Sequence, residues 1–153
     1  MQKLMLTCLL LGTFCMASLA QVSLEGSWEG TITTGGLDSK ESYKFELVLA
    51  RSGKKGKLKG RSFVHISPDK VIEMDIGGRL YGDQSMYLED IFFLPSEGKE
   101  VAPPYNRKYE LIFNRSIWDS NLQGYWQEKR PDPFFPMRSR GRIFLKKKKA
   151  SGA

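Results

Sequence analysis

Residues 24–34 read LEGSWEGTITT, and this stretch decides the fold class because its apolar and polar residues alternate. Leu24, Trp28 and Ile32 share one face with two glycines, whereas glutamate, serine and threonine side chains occupy the other face. A period of two is that of a β-strand with one face buried and the other in water. The stretch therefore predicts a strand whose buried face carries a tryptophan.

The same alternation recurs outward from this stretch. It predicts further strands over 42–51, around 58–66, and over 71–81 and 85–94. The inward residues of the second strand are predicted to be Tyr43, Phe45, Leu47 and Leu49, and those of the third Leu58, Gly60, Ser62, Val64 and Ile66. Three later strands are marked by the inward sets Tyr109, Leu111, Phe113; Leu122, Gly124, Trp126; and Gly141, Ile143, Leu145.

The strand over 85–94 has two competing faces. One face would bury Met86, Leu88 and Asp90, and the other would bury Glu89 together with its apolar neighbours. Either choice places a carboxylate inside, which is costly unless that group is hydrogen-bonded. The orientation of this strand stays open at the level of sequence.

Eight consecutive strands joined by short links favour an all-β fold. No stretch has helical periodicity long enough to form a crossover between parallel strands, so the strands are expected to pair as an antiparallel meander. Closing such a meander removes the exposed strand edges of an open sheet. We therefore predict an eight-stranded antiparallel up-and-down β-barrel, with a β-sandwich as the alternative.

The first 20 residues have the pattern of a secretory signal peptide. Lys3 precedes an apolar run over 4–16, and the small residues Ser18 and Ala20 lie before the expected cleavage point. We expect residues 1–20 to be removed, residues 21–153 to form a single β-barrel domain, and the protein to be secreted or periplasmic. Both cysteines, at positions 8 and 15, lie in the leader, so the remaining chain has no thiol for a disulfide, a zinc site or a nucleophile.

The chain carries a net charge of +7, with lysine clusters at 54–59 and 146–149. Such clusters attract polyanions, but they also keep strand edges and tails solvated. Since no aromatic stacking residues are interleaved with the lysines, we interpret them as solvated. We expect no nucleic acid partner and no stable membrane insertion once the leader is cleaved.

The connection lengths differ between the two ends of the predicted barrel. Antiparallel order places the links 35–41, 67–70, 95–106 and 128–138 at one end, and the turns 52–56, 82–84 and 116–120 at the other. The links 95–106 and 128–138 are long and rich in proline and aromatic residues. This asymmetry is typical of a cup that is closed at one end and bordered by adaptable loops at the other.

The element Gly26-Ser27-Trp28 resembles the glycine-x-tryptophan signature of lipocalins and related calycin barrels. The resemblance implies that a small hydrophobic or amphipathic molecule binds in the lumen without chemistry. Trp28 itself is expected to fill the closed end, because a large buried aromatic side chain contributes heavily to a small core. In lipocalins a basic residue of the last strand packs over this tryptophan. Arg140 and Arg142 lie in that strand, although the alternation points them outward. The usual disulfide of the family cannot form here.

Six residues are the candidates for contact with such a ligand. Ser62 would be a polar group that orients it, and the apolar wall would consist of Tyr43, Phe45, Trp126, Phe134 and Phe135. An alternative function is a protein-interaction or inhibitor module that presents the loops 95–106 and 128–138 to a protein partner.

Catalysis has little support in the sequence. The single histidine, His65, is predicted to point outward, and no histidine cluster is present to hold a metal ion. We expect no catalytic residue, no metal and no cofactor.

Overall fold

A computed structural model describes residues 23–53, 55–93, 103–130 and 139–149. Within these ranges there are eight strands. Their bounds are β1 Gly26–Thr33, β2 Ser42–Arg51, β3 Lys57–Ser67, β4 Lys70–Leu80, β5 Ser85–Phe93, β6 Asn106–Asn114, β7 Asn121–Lys129 and β8 Arg140–Lys147.

Each strand pairs antiparallel with the next one along the chain, and β8 pairs with β1. Trp28 lies opposite Lys147 and Ile32 opposite Ile143 in this closing pair, so no open sheet edge remains. The prediction of an all-β, eight-stranded antiparallel up-and-down barrel is confirmed, and a β-sandwich is excluded. None of the described residues forms a helix long and apolar enough to cross a bilayer.

The inward residues of the strands form one hydrophobic core. Trp28 and Ile32 point inward from β1, as the alternation in the first strand predicts. Phe45, Leu47 and Leu49 do so from β2. Burial of these side chains supplies the main favourable free energy of folding for a domain without disulfides.

Ile66 departs from the predicted alternation. It was expected to point inward with Val64, but its side chain is exposed. The pairing of β3 with β4 skips Ile66, because His65 lies opposite Val71 and Ser67 opposite Lys70. A β-bulge of this kind inserts one unpaired residue and reverses the faces that follow it.

A second bulge resolves the orientation of β5. Met86, Leu88 and Asp90 point inward along the first part of the strand. The pairing with β4 then skips Ile91, since Ile76 lies opposite Asp90 and Asp75 opposite Phe92. Beyond the bulge Phe92 is 67% exposed, whereas Phe93 packs against the core.

One end of the barrel is closed by Trp28. Its indole Nε1 donates a hydrogen bond to the carbonyl oxygen of Leu24 at 2.9 Å, and its ring meets Phe113 edge-on at 5.7 Å between centroids. The ammonium of Lys147 lies 4.6 Å from the centre of the indole and donates to the carbonyl oxygens of Ser23 and Glu25. We call this the closed end.

Lys147 thus provides the basic residue over the tryptophan for which Arg140 and Arg142 were considered. Both arginines are exposed on the outer face of β8, as their position in the alternation indicates. Lys147 continues the inward series of Gly141, Ile143 and Leu145 by one more step. Burial lowers the pKa of its ammonium group, and the two carbonyl oxygens compensate part of the lost hydration.

The opposite end, which we call the open end, contains the link over 34–41 and the turn at 68–69. The end of β5, the start of β6, the end of β7 and the start of β8 also lie at this end, because the antiparallel order alternates. Most of the predicted loops 95–106 and 128–138 lie outside the described residues. The strands extend into both loops, since β6 begins at Asn106 and β7 continues to Lys129.

Candidate functional site

Polar side chains are buried inside the barrel toward its open end. Ser62 on β3, Asp90 on β5 and Arg107 on β6 point inward among aliphatic and aromatic residues. Tyr109, one inward step below Arg107, adds a buried hydroxyl group. Because buried polar groups destabilise a fold unless they are paired, their hydrogen bonds indicate what the cluster can do.

Both carboxylate oxygens of Asp90 are engaged. Oδ1 accepts a hydrogen bond from the Tyr109 hydroxyl at 2.7 Å, and Oδ2 accepts one from the backbone N–H of Arg107 at 2.8 Å. Burial raises the pKa of Asp90, whereas the hydrogen bonds from Tyr109 and from the Arg107 backbone, together with the positive charge of Arg107, oppose that shift. Burial also raises the pKa of Tyr109, with the negative charge of Asp90 adding to the effect. Neighbouring protein groups therefore already donate hydrogen bonds to both oxygens of the Asp90 carboxylate.

The guanidinium of Arg107 is not satisfied in this way. Arg107 is only 4% exposed, and its Nε and Nη1 atoms are buried with no hydrogen-bond partner among the described residues. The residue opposite it on β7 is Glu128, a buried carboxylate. Glu128 is occupied elsewhere, because it accepts hydrogen bonds from Arg130 Nε and from the backbone N–H of Ser139. The Arg130 bond holds the pKa of Glu128 below its ordinary value.

Two aromatic rings lie beside Arg107. Its guanidinium carbon is 5.3 Å from the ring centre of Trp126 and 5.6 Å from that of Tyr105. The two rings stack at 6.0 Å between centroids with an angle of 14° between their planes. Both distances fall in the range of cation–π contacts, which stabilise a desolvated cation but leave its N–H groups without acceptors.

Trp126, the first of the ligand-contact candidates, is 1% exposed. Its Nε1 donates to the carbonyl oxygen of Thr33 at 2.7 Å, which ties β7 to the end of β1 across the backbone of Gly141. Tyr105 covers its ring. Trp126 therefore lies in the wall of the Arg107 cluster, and it also lines a cleft together with Tyr125 and Arg140.

The remaining candidates lie at different depths. Phe45 is buried and stacks on Tyr109 at 6.1 Å, and Ser62 is buried with no hydrogen-bond partner for its Oγ among the described residues. Tyr43 is half-buried at the open end, where its hydroxyl donates to Glu41 at 2.6 Å. Phe134 and Phe135 lie outside the described residues. The structure thus brings Trp126, Phe45 and Ser62 into the barrel interior and leaves Tyr43 at the rim.

Arg107 and Tyr105 were not among the sequence candidates, because both fall near the boundary between a loop and a strand. The alternation of the sixth strand does contain a signal that Arg107 points inward. Extending the inward series Phe113, Leu111, Tyr109 by one step places residue 107 on the inside, where an arginine is unusual. Tyr105 precedes the strand, so its position could not be obtained from alternation.

His65 points outward, as predicted, and its Nε2 lies 3.1 Å from Glu46 Oε1. In the described part of the chain, no group of three histidine, cysteine or acidic residues is arranged to hold a metal ion. The chain matches none of the protein-family models with which it was compared, and comparisons with curated proteins and with solved structures give no significant match. Fold and site therefore define the class of the protein: a closed eight-stranded meander barrel with a buried arginine near its open end.

Proposed function

We propose that this barrel binds a small amphipathic molecule at its open end, with the acidic head group of that molecule on Arg107. The observation that carries the proposal is the buried guanidinium whose Nε and Nη1 atoms have no acceptor among the described residues. The resemblance of Gly26-Ser27-Trp28 to the calycin signature is consistent with a carrier function but does not specify a ligand.

An anionic head group follows from the chemistry of arginine. A guanidinium remains charged at any physiological pH, so it cannot avoid the cost of burial by losing its proton. A carboxylate or phosphate oxygen would supply the missing acceptor through a charge-assisted hydrogen bond. Neither nearby acid supplies it, because Nε and Nη1 of Arg107 have no partner among the described residues, while Asp90 and Glu128 accept hydrogen bonds from other groups.

An apolar body follows from the rim of the open end. Tyr43, Phe93 and Tyr105 are partly buried and pack on top of the core, so they offer apolar surface that a ligand can reach. Below them the inward side chains form a continuous core. We therefore place the apolar part of the ligand against these rim aromatics and the head group one layer deeper, beside Trp126 and Tyr105.

The test compares dodecanoate with dodecanol, which share a chain and differ in the charged head. We expect calorimetry to show that the protein binds dodecanoate about tenfold or more tightly than dodecanol, because one charge-assisted hydrogen bond contributes about 1.5–3 kcal/mol. The variant Arg107→Met should lose this preference. The matched control Arg79→Met removes an exposed arginine of β4 and should keep it. Equal affinity for the two probes in the unmodified protein would refute an anion site.

A further inference from the structure

A second feature, at the closed end, has no part in the proposed ligand site. The turn between β6 and β7 places Ile117 and Trp118 side by side, 68% and 87% exposed. They line a cleft of about 640 Å³ together with the lysine run at 146–149, and Glu29 and Asp119 are its acidic lining residues. We call Ile117, Trp118 and this lysine run the closed-end patch.

Hydrogen bonds within the β6–β7 turn fix the backbone that exposes Ile117 and Trp118 to solvent. The backbone N–H of Ser116 donates to Ser120 Oγ at 3.0 Å, and Ser120 Oγ donates to the Ser116 carbonyl oxygen at 2.5 Å. Ser116 Oγ in turn accepts from the backbone N–H of Trp118 at 3.2 Å. These bonds fix the loop while its tip contributes nothing to the core, so folding does not explain an isoleucine and a tryptophan at this position.

The charges around the tip are mainly positive. Lys146 pairs with Asp119 at 3.1 Å and Lys148 approaches Glu29 at 3.6 Å. Both pairs are exposed, so water and salt screen them. Because the Lys147 ammonium lies over Trp28, three lysines face two carboxylates and leave the lining of the cleft with a net charge of +1. Ile117 and Trp118 at the tip of the turn are bordered by lysines. This combination is complementary to a lipid surface, which has negatively charged headgroups and an apolar interior beneath them.

We infer that the closed-end patch docks the barrel reversibly onto an anionic phospholipid surface. Tryptophan favours the interface between headgroups and hydrocarbon, and adjacent lysines are attracted to anionic lipids. A soluble polyanion would satisfy the lysines but would leave Ile117 and Trp118 in water. With the patch at the closed end, the open end would face away from the membrane and remain accessible to solvent.

The test is sedimentation of the protein with vesicles of phosphatidylcholine alone or mixed with phosphatidylglycerol. Binding is expected only with the mixed vesicles and should weaken as salt is raised, because salt screens the attraction. Trp118→Ser should weaken this binding by about tenfold. Phe92→Ser removes another exposed aromatic side chain, from the outer wall of the barrel, and should leave binding unchanged.

A charge variant completes the design. Replacing Lys146 and Lys149 together by glutamine should lower binding to mixed vesicles by about tenfold or more. The same double replacement at Lys59 and Lys70, which are exposed on other surfaces, should have no effect. Equal binding to neutral vesicles, or unchanged binding by Trp118→Ser, would overturn the inference. Heparin binding that matches the vesicle binding and is insensitive to Trp118→Ser would point to a soluble polyanion and would also overturn it.

Discussion

At the scale of single residues, the barrel contrasts a satisfied cation with an unsatisfied one. Lys147 at the closed end lies over Trp28 and donates to backbone carbonyl oxygens. Arg107 toward the open end also lies beside aromatic rings, yet two of its nitrogen atoms have no acceptor in the described part of the chain. The first arrangement stabilises the fold. The second costs stability, and under our proposal ligand binding is the reason that this group is retained.

Trp28 should be among the most important side chains for stability. We expect Trp28→Ala to lower the free energy of unfolding by about 3–5 kcal/mol, since it empties the closed end of the core. The matched control Trp118→Ala removes an exposed tryptophan and should change this free energy by less than about 0.5 kcal/mol. Urea titration measures both values. A loss below about 1 kcal/mol for Trp28→Ala would show that Trp28 does not hold the closed end together.

Asp90 should make stability depend on pH. Its pKa is higher in the folded protein than in the unfolded chain, so the folded state holds this proton more tightly. The contribution of Asp90 to the free energy of unfolding is therefore fully present below about pH 4 and is lost as the pH rises through the pKa of Asp90 in the folded protein. Denaturant titrations from low to neutral pH should show the parent losing stability relative to Asp90→Asn. The exposed control Asp69→Asn should follow the parent, and a difference between parent and Asp90→Asn that grows in the opposite direction would contradict this assignment.

At the scale of elements, two β-bulges mark the positions beyond which the alternation of apolar and polar residues no longer predicts which face of a strand is buried. The faces of β1 and β2 follow from the sequence, because burial of one face imposes a strict period of two. The bulges at Ile66 and Ile91 could not be predicted, since each is a property of the pairing with a neighbouring strand. The ambiguity of β5 has the same origin. Its first part buries the face of Asp90, and its last residue, Phe93, belongs to the other face.

Gly141 determines how closely β8 can pass beneath Trp126. A Cβ atom at this position would lie 2.5 Å from Trp126 Nε1 and would collide with the Thr33 carbonyl oxygen. Gly141→Ala should therefore lower the free energy of unfolding by about 1–3 kcal/mol, as overpacking of a core does. Gly82→Ala, in a turn where a Cβ would meet nothing within 4 Å, is the control and should be nearly neutral. Unchanged urea stability of Gly141→Ala would show that the barrel tolerates a wider spacing here.

At the scale of the whole molecule, strand number and order follow from the sequence. The polar cluster does not. Alternation can place Arg107 and Asp90 inside, but only the pairing of β5 with β6 and of β6 with β7 shows that Asp90 is satisfied by Tyr109 while Arg107 is not. Hydrogen bonding between residues on different strands depends on register, which a single sequence does not specify.

The same scale contains the central claim, that the open end presents Arg107 to an acidic ligand. The most direct measurement is the NMR signal of the Arg107 Nε–H group, assigned by its absence in Arg107→Met, during titration with dodecanoate. We expect this signal to shift and its exchange with water to slow, because the proton gains a carboxylate acceptor. An unchanged Arg107 signal at saturating dodecanoate, with shifts confined to residues of the outer wall, would contradict the account.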